Sequence, residues 1–152
     1  RRVMSVNVDS VQSLFGHIGP LLALSPVGGR VVVIGSKNVP APGKGAAAYS
    51  ASKAALQQLC RVAALEWAPN KTRVNLVHPD AVFETGLWNE ELFAERGANY
   101  GLTPEECKKR NILSVEVTSE AVARSAISLC TDNFSTTTGA SVPTDGGSDR
   151  VI

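Results

Sequence analysis

The sequence predicts an α/β fold, a parallel sheet with helices on both faces, in one domain over residues 1–152. Three observations predict it. Arg30–Gly35 is a continuous apolar run of strand length, as in parallel strands covered on both sides. Segments with helical spacing lie at 1–25, 46–67 and 118–131. The resulting order is helix, strand, helix, strand, insertion, helix, strand, the alternation of parallel crossovers.

Residues 1–25 read as a helix because Val3, Val6, Val11, Leu14, Phe15, Ile18, Leu21 and Leu22 recur at three- and four-residue steps. Gly16, Gly19 and Pro20 weaken the pattern and predict a kink. Asn7 lies inside this helix, where asparagine is a poor choice by propensity; a polar residue held there usually has a partner. Ser25-Pro26-Val27-Gly28-Gly29 is a turn. Arg30–Gly35 reads as a central strand, and Ser36 stands at its carboxyl end, where ligands bind in open α/β sheets. Lys37 to Lys44, with Pro40, Pro42 and Gly43, is a loop. The segment 46–67 is the strongest helix, rich in small residues and stopped by Pro69-Asn70. Arg73–His78 is a second strand, ending at Pro79-Asp80-Ala81-Val82. Residues 83–117 mix apolar and charged residues between a strand end and a helix, where lids and binding loops occur. A helix opens near Thr118-Ser119-Glu120, and Ala140–Thr144 is a last strand closed by Asp145-Gly146-Gly147.

Composition narrows the function classes. Hydrophobic residues make up 43% and charged residues 19%, with a net charge of +1. Nothing there suggests nucleic acid or an anionic membrane as partner. No apolar run is long enough to span a bilayer, and no secretory leader opens the chain. The chain starts at Arg1-Arg2-Val3 and reads as beginning mid-protein. Cys60, Cys107 and Cys130 show no metal-ligand spacing and read as free thiols in a reducing, cytoplasmic setting.

The chemistry concentrates in Gly45-Ala46-Ala47-Ala48-Tyr49-Ser50-Ala51-Ser52-Lys53. On a helix, Tyr49 and Lys53 share one face, with Cβ atoms roughly 5–6 Å apart. A free phenol has a pKa near ~10, too high for proton exchange at neutral pH. An ammonium at about 4 Å favours the phenolate by on the order of 4 kcal/mol at an effective dielectric of about 20. The pair alone better suits a tyrosine docked at a helix start beside a snorkelling lysine. Its context decides: Ser36 stands 13 residues before Tyr49, and Asn7 stands 29 before Ser36.

Asn7, Ser36 and Tyr49-x-x-x-Lys53, in this order and spacing, resemble the catalytic tetrad of the short-chain dehydrogenase/reductase family. Arg73-Val74-Asn75-x-x-x-Pro79 resembles that family's strand and proline after the catalytic helix. Thr138-Gly139 with Asp145-Gly146-Gly147 resembles its final strand segment, and 83–117 sits where it carries a substrate lid. The resemblance implies a Rossmann-like, doubly wound parallel sheet, of which this chain would be the C-terminal part. It implies that Tyr49 exchanges a proton with the substrate oxygen. Lys53 would support the phenolate and hold the nicotinamide ribose, Ser36 would bond the substrate oxygen, and Asn7 would hold a water linked to Lys53. Tyr49, Lys53, Pro79, Asp80 and the backbone around Val82 would meet the nicotinamide end of NAD, with NADP not excluded. The substrate would be a small alcohol or aldehyde. Helices 1–25 and 46–67 would form a homo-oligomer interface.

A narrower resemblance rests on Ser36-Lys37-Asn38, Gly43-Lys44-x-Ala46-Ala47-Ala48-Tyr49, His78-Pro79-Asp80-Ala81-Val82 and Gly86-Leu87-Trp88. These look like the dehydrogenase half of bifunctional aldolase/short-chain dehydrogenase proteins of the rhamnulose-1-phosphate aldolase/alcohol dehydrogenase type. That likeness implies an aldehyde such as lactaldehyde, oxidised with NAD. Two departures stand out. Asp80 replaces the family's usual glycine after the proline. The glycine-rich turn that cradles pyrophosphate, Gly-x-x-x-Gly-x-Gly near a first strand, does not occur in the sequence. An alternative is therefore a catalytically incomplete unit that serves only as a dimerisation module. A serine hydrolase fits less well, because Ser36 has no glycine-flanked elbow and neither His17 nor His78 has an acid partner in sequence.

Overall fold

A computed structural model describes residues 1–86, Leu92, Gly101 and 103–148. Its first element, α1, runs without a break through Arg2–Met4, a π-helical stretch Ser5–Asp9, and Ser10–Leu22. Then follow β1 (Arg30–Ile34), α2 (Ala47–Trp67), β2 (Arg73–Pro79), α3 (Pro104–Lys108), α4 (Ser119–Cys130) and β3 (Ser141–Thr144). The strands form a parallel sheet in the order β1-β2-β3, pairing Val31 with Val74 and Val77 with Val142. The α/β class and the parallel sheet are as the sequence predicts.

Residue alternation along the strands splits the core in two. Val31, Val33, Val74 and Leu76 face α1 and α2, meeting Phe15, Leu56, Cys60, Ala63 and Ala64. Val32, Val77 and Val142 face α4, meeting Val122 and Leu129. Burying one leucine such as Leu56 contributes about 1.5–3 kcal/mol. Gly19 lets α1 approach α2, where a Cβ would lie 3.0 Å from the Trp67 ring, and Phe15 meets that ring edge-on at 5.1 Å. Thr118 caps α4 by accepting the Ala121 N–H.

One expectation is corrected. The irregularity of α1 falls at Ser5–Asp9, and Pro20 lies in the last turn without ending the helix before Leu22. Arg30–Ile34 is covered on both faces as expected, and in the described sheet β2 is the strand paired on both sides, with Arg73 to His78 all buried. β1 lies at one edge of the described sheet, and Ile34 is 44% exposed.

Buried polar side chains hold the connections at the amino end of the sheet. Arg73 donates to the carbonyls of Leu129 (2.8 Å) and Thr131 (3.1 Å), while Asn75 donates to Thr137 and accepts from the Ala140 N–H. Gly28 has a φ of +79°, and a Cβ there would lie 2.1 Å from the Lys71 carbonyl oxygen, so only glycine fits this turn. Much of the expected lid at 83–117 lies outside the described residues. Among those described, α3 begins with a capping box between Thr103 and Glu106.

Candidate active site

The carboxyl ends of β1 and β2 meet in one place. The N–H of Gly35 donates to the Val77 carbonyl at 2.8 Å, and the N–H of Lys37 to the Pro79 carbonyl at 3.0 Å. Ser36 is buried between them. Its Oγ accepts the Asn38 N–H at 3.1 Å, which leaves the hydroxyl proton free to donate.

Tyr49 and Lys53 sit in the first turns of α2, one helical turn apart. Tyr49 is 38% exposed. The Lys53 Nζ lies 5.9 Å from the Tyr49 ring centroid and donates to the Ile34 carbonyl at 2.9 Å. Burial lowers the Lys53 pKa from its ordinary value, against a smaller opposing pull from the Cys60 thiol. Burial pushes that thiol up to about 12. Cys60, Cys107 and Cys130 are all free.

Asn7 lies in the π-helical stretch of α1, and its Nδ2 donates to Ser52 Oγ at 3.0 Å. Ser52, fully buried, donates in turn to the Tyr49 carbonyl at 2.7 Å. Asn7 is thus joined to the backbone of the tyrosine, through a serine that the sequence reading did not single out. π-Helical turns recur at functional sites because they re-aim a side chain within a helix.

Asp80 ties three loops together. It pairs with Lys37 at 3.4 Å and accepts from Ser148 Oγ, and its N–H donates to the Thr144 carbonyl at 3.3 Å. Its carboxylate thus holds the loops after β1, β2 and β3 in register. Val82 stands further along, packed against the α4-side core, and its carbonyl accepts from Thr85.

His78 is the residue the sequence reading passed over. It is 3% exposed, and its Nδ1 accepts the Ser36 N–H at 3.0 Å. This fixes the neutral ring with its proton on Nε2, which is buried without a partner. Gly35 makes room for the ring: a Cβ there would lie 2.3 Å from His78 Nδ1. An acid partner was the wrong signal to look for, because the partner is a backbone N–H. Burial, and then the Lys53 charge, lower the His78 pKa. The folded state therefore binds this proton less well than the unfolded chain does. Stability is complete above the unfolded pKa of about 6.5 and falls as pH drops below it. We expect the midpoint of urea unfolding to decline below pH ~6.5, and a His78→Gln variant to lose much of that slope. An equal slope in both proteins would assign it elsewhere. His17, by contrast, is exposed and bonded locally to Ser13.

A family model described as enoyl-(acyl carrier protein) reductase matches residues 1–149. The chain belongs to the short-chain dehydrogenase/reductase family. It is 37% identical to the uncharacterized oxidoreductase YuxG of Bacillus subtilis, over 79% of this chain and 18% of that protein. It is 28% identical to carbonyl reductase [NADPH] 2 of Sus scrofa, over 96% of this chain and 57% of the other. A short-chain dehydrogenase family protein from Francisella tularensis superposes with a TM-score of 0.79 at 28% identity, covering 95% and 59% of the two chains. Sorbitol-6-phosphate 2-dehydrogenase SrlD from Erwinia amylovora superposes at 0.87, with 21% identity over 99% and 59%, a likeness of fold. The chain spans less than two thirds of the length of each of these family members. Their shared sheet is Rossmann-like, and the chain contributes three parallel strands of it among its described residues.

Proposed function

We propose that this chain is the catalytic part of an NAD(P)-dependent oxidoreductase that interconverts a small alcohol and its aldehyde or ketone. The observation that carries this reading is the meeting of Ser36, Tyr49 and Lys53 at the carboxyl ends of β1 and β2, with Lys53 bonded to the last carbonyl of β1. The donor set suits the nicotinamide end of a dinucleotide. Lys53 keeps N–H donors beyond the one on Ile34 for ribose hydroxyls, and Val82 has its carbonyl occupied and its N–H available for a carboxamide. Pro79 and Asp80 border that place, and Tyr49 adds a hydroxyl. The sequence offers no glycine-rich turn for the pyrophosphate, so these residues address only the nicotinamide half.

The cofactor supplies or takes the hydride. The chain's own residues handle the oxygen. Tyr49 gives its phenolic proton to the carbonyl oxygen in reduction and takes it back from the hydroxyl in oxidation. The free Ser36 hydroxyl proton donates to that same oxygen and stabilises charge developing on it. The Lys53 ammonium stands beside the Tyr49 ring, where it meets charge that develops during the proton transfer. Asn7 and Ser52 position Tyr49 through its carbonyl.

Three finer readings belong here. The fusion to an aldolase, with a lactaldehyde-type substrate, rests on the quoted sequence motifs alone. Self-association through α1 and α2 is supported by apolar side chains left outside both cores, among them Val6 at 61% and Leu65 at 77% exposure. A cytoplasmic location accords with three free cysteines. No helix among the described residues is long and apolar enough to cross a membrane.

Fluorescence titration of this chain with NADH, beside Lys53→Ala, tests the nicotinamide site. Saturable binding weakened at least about tenfold in the variant is the expected result, the scale of a charge-assisted hydrogen bond. Binding that Lys53→Ala leaves unchanged would place the cofactor elsewhere and sink the assignment.

A further inference from the structure

The opposite end of the sheet carries a second polar cluster. β1 and β2 both begin with arginine, and the parallel register sets Arg30 directly beside Arg73. Like charges so placed repel each other. Lys71, in the left-handed region with φ 57°, adds a third cation. Together with Thr72, Ser135 and Thr138 they line a cavity of about 390 Å³. Among the described residues no acidic one lines it.

Among the described residues none of these cations has an acidic hydrogen-bond or ion-pair partner. Arg30 donates only to the carbonyls of Gly29 and Lys71. Arg73, itself 6% exposed, donates only to carbonyls, and its Nε is buried without a partner. Ion pairs among the described residues involve Lys37, Lys108 and Arg124 instead. Burial and the Arg30 charge lower the Arg73 pKa and outweigh the opposing pulls of Cys130 and Asp132. The hydroxyls are also poised. Thr72 Oγ1 accepts the Gly29 N–H and Thr138 Oγ1 accepts the Val74 N–H, so both keep a proton to donate.

We propose that this cavity, formed by Arg30, Lys71 and Arg73 at the amino end of the sheet, binds a phosphate-type oxyanion. Such an anion relieves the repulsion between the paired arginines and accepts from guanidinium, ammonium and hydroxyl donors together. The cavity exceeds the size of a single phosphate group, so the oxyanion is either a free phosphate or the phosphate of a small ester.

Isothermal titration with inorganic phosphate and with glycerol 3-phosphate, at constant chloride, tests this on three proteins. They are the unaltered chain, an Arg30→Gln/Lys71→Gln double variant, and Lys53→Ala. Arg73 is left in place because it holds the connections from α4 to β3. Saturable binding is expected in the unaltered chain and in Lys53→Ala, with at least about a tenfold loss in the double variant. A cooperative melt shows that the double variant is folded. Tighter binding of glycerol 3-phosphate assigns an ester to the cavity, and equal binding assigns the free ion. Absence of saturable binding in the millimolar range would overturn the proposal. So would unchanged affinity in the folded double variant, or a loss confined to Lys53→Ala.

Discussion

Tyr49→Phe lowers the turnover of the whole oxidoreductase by about 10²–10⁴-fold, the usual worth of a positioned acid or base. The phenyl ring keeps the shape of the first turn of α2 and its place beside the Lys53 ammonium. Ser52 still bonds the carbonyl of residue 49, because that contact is to backbone. The change therefore removes the phenolic hydroxyl and little else. Cofactor affinity should fall by no more than about tenfold, the net value of one hydrogen bond. A stopped-flow single-turnover measurement separates the two quantities. Full turnover in the variant would remove Tyr49 from the chemistry and leave the Tyr49–Lys53 pair with a packing role.

Gly35→Ala unfolds the site from beneath. The new methyl would lie 2.3 Å from His78 Nδ1 and 2.6 Å from Cε1, in a place with no room to yield, since His78 is 3% exposed. Either the ring or the end of β1 must move, and both break the bond from the Ser36 N–H. Overpacking together with a buried N–H left unpaired costs about 2–5 kcal/mol. For a chain of this size that lowers the melting temperature by about 5–15 °C. A Gly35→Ala/His78→Ala double variant should be markedly more stable than the sum of the two single changes predicts, because the clash needs both partners. Simple additivity would show that the methyl is accommodated by some other movement.

The fold was legible wherever a segment was long and periodic. The bounds of α2, β2 and α4 differ from the sequence reading by a residue or so, and Ser36 stands at a strand end as expected. The cover of β1 was legible too, because a strand apolar on both faces needs helices on both, and Val31 and Val33 meet one layer while Val32 meets the other. The π-helical stretch around Asn7 was not legible, since a change of backbone hydrogen-bond register leaves no mark in the spacing of side chains. The polar ties of the site were hidden for another reason. Lys37, Asp80 and Ser148 come from three loops, and nothing local in any of them announces the other two. Arg73 and Asn75 were read as part of a motif, without their task of holding the chain before β3.

The bond from Lys53 to Ile34 has a meaning for geometry as well as for chemistry. Gly35 and Lys37 direct their N–H groups to β2, so the alternate position, Ile34, turns its backbone groups away from β2. The lysine takes the Ile34 carbonyl on that side, so one bond ties the first turns of α2 to the end of β1. A small slide of α2 along its axis therefore pulls on the strand end, and with it on Ser36. Tyr49 and Ser36 keep their spacing because the helix and the strand that carry them cannot move independently.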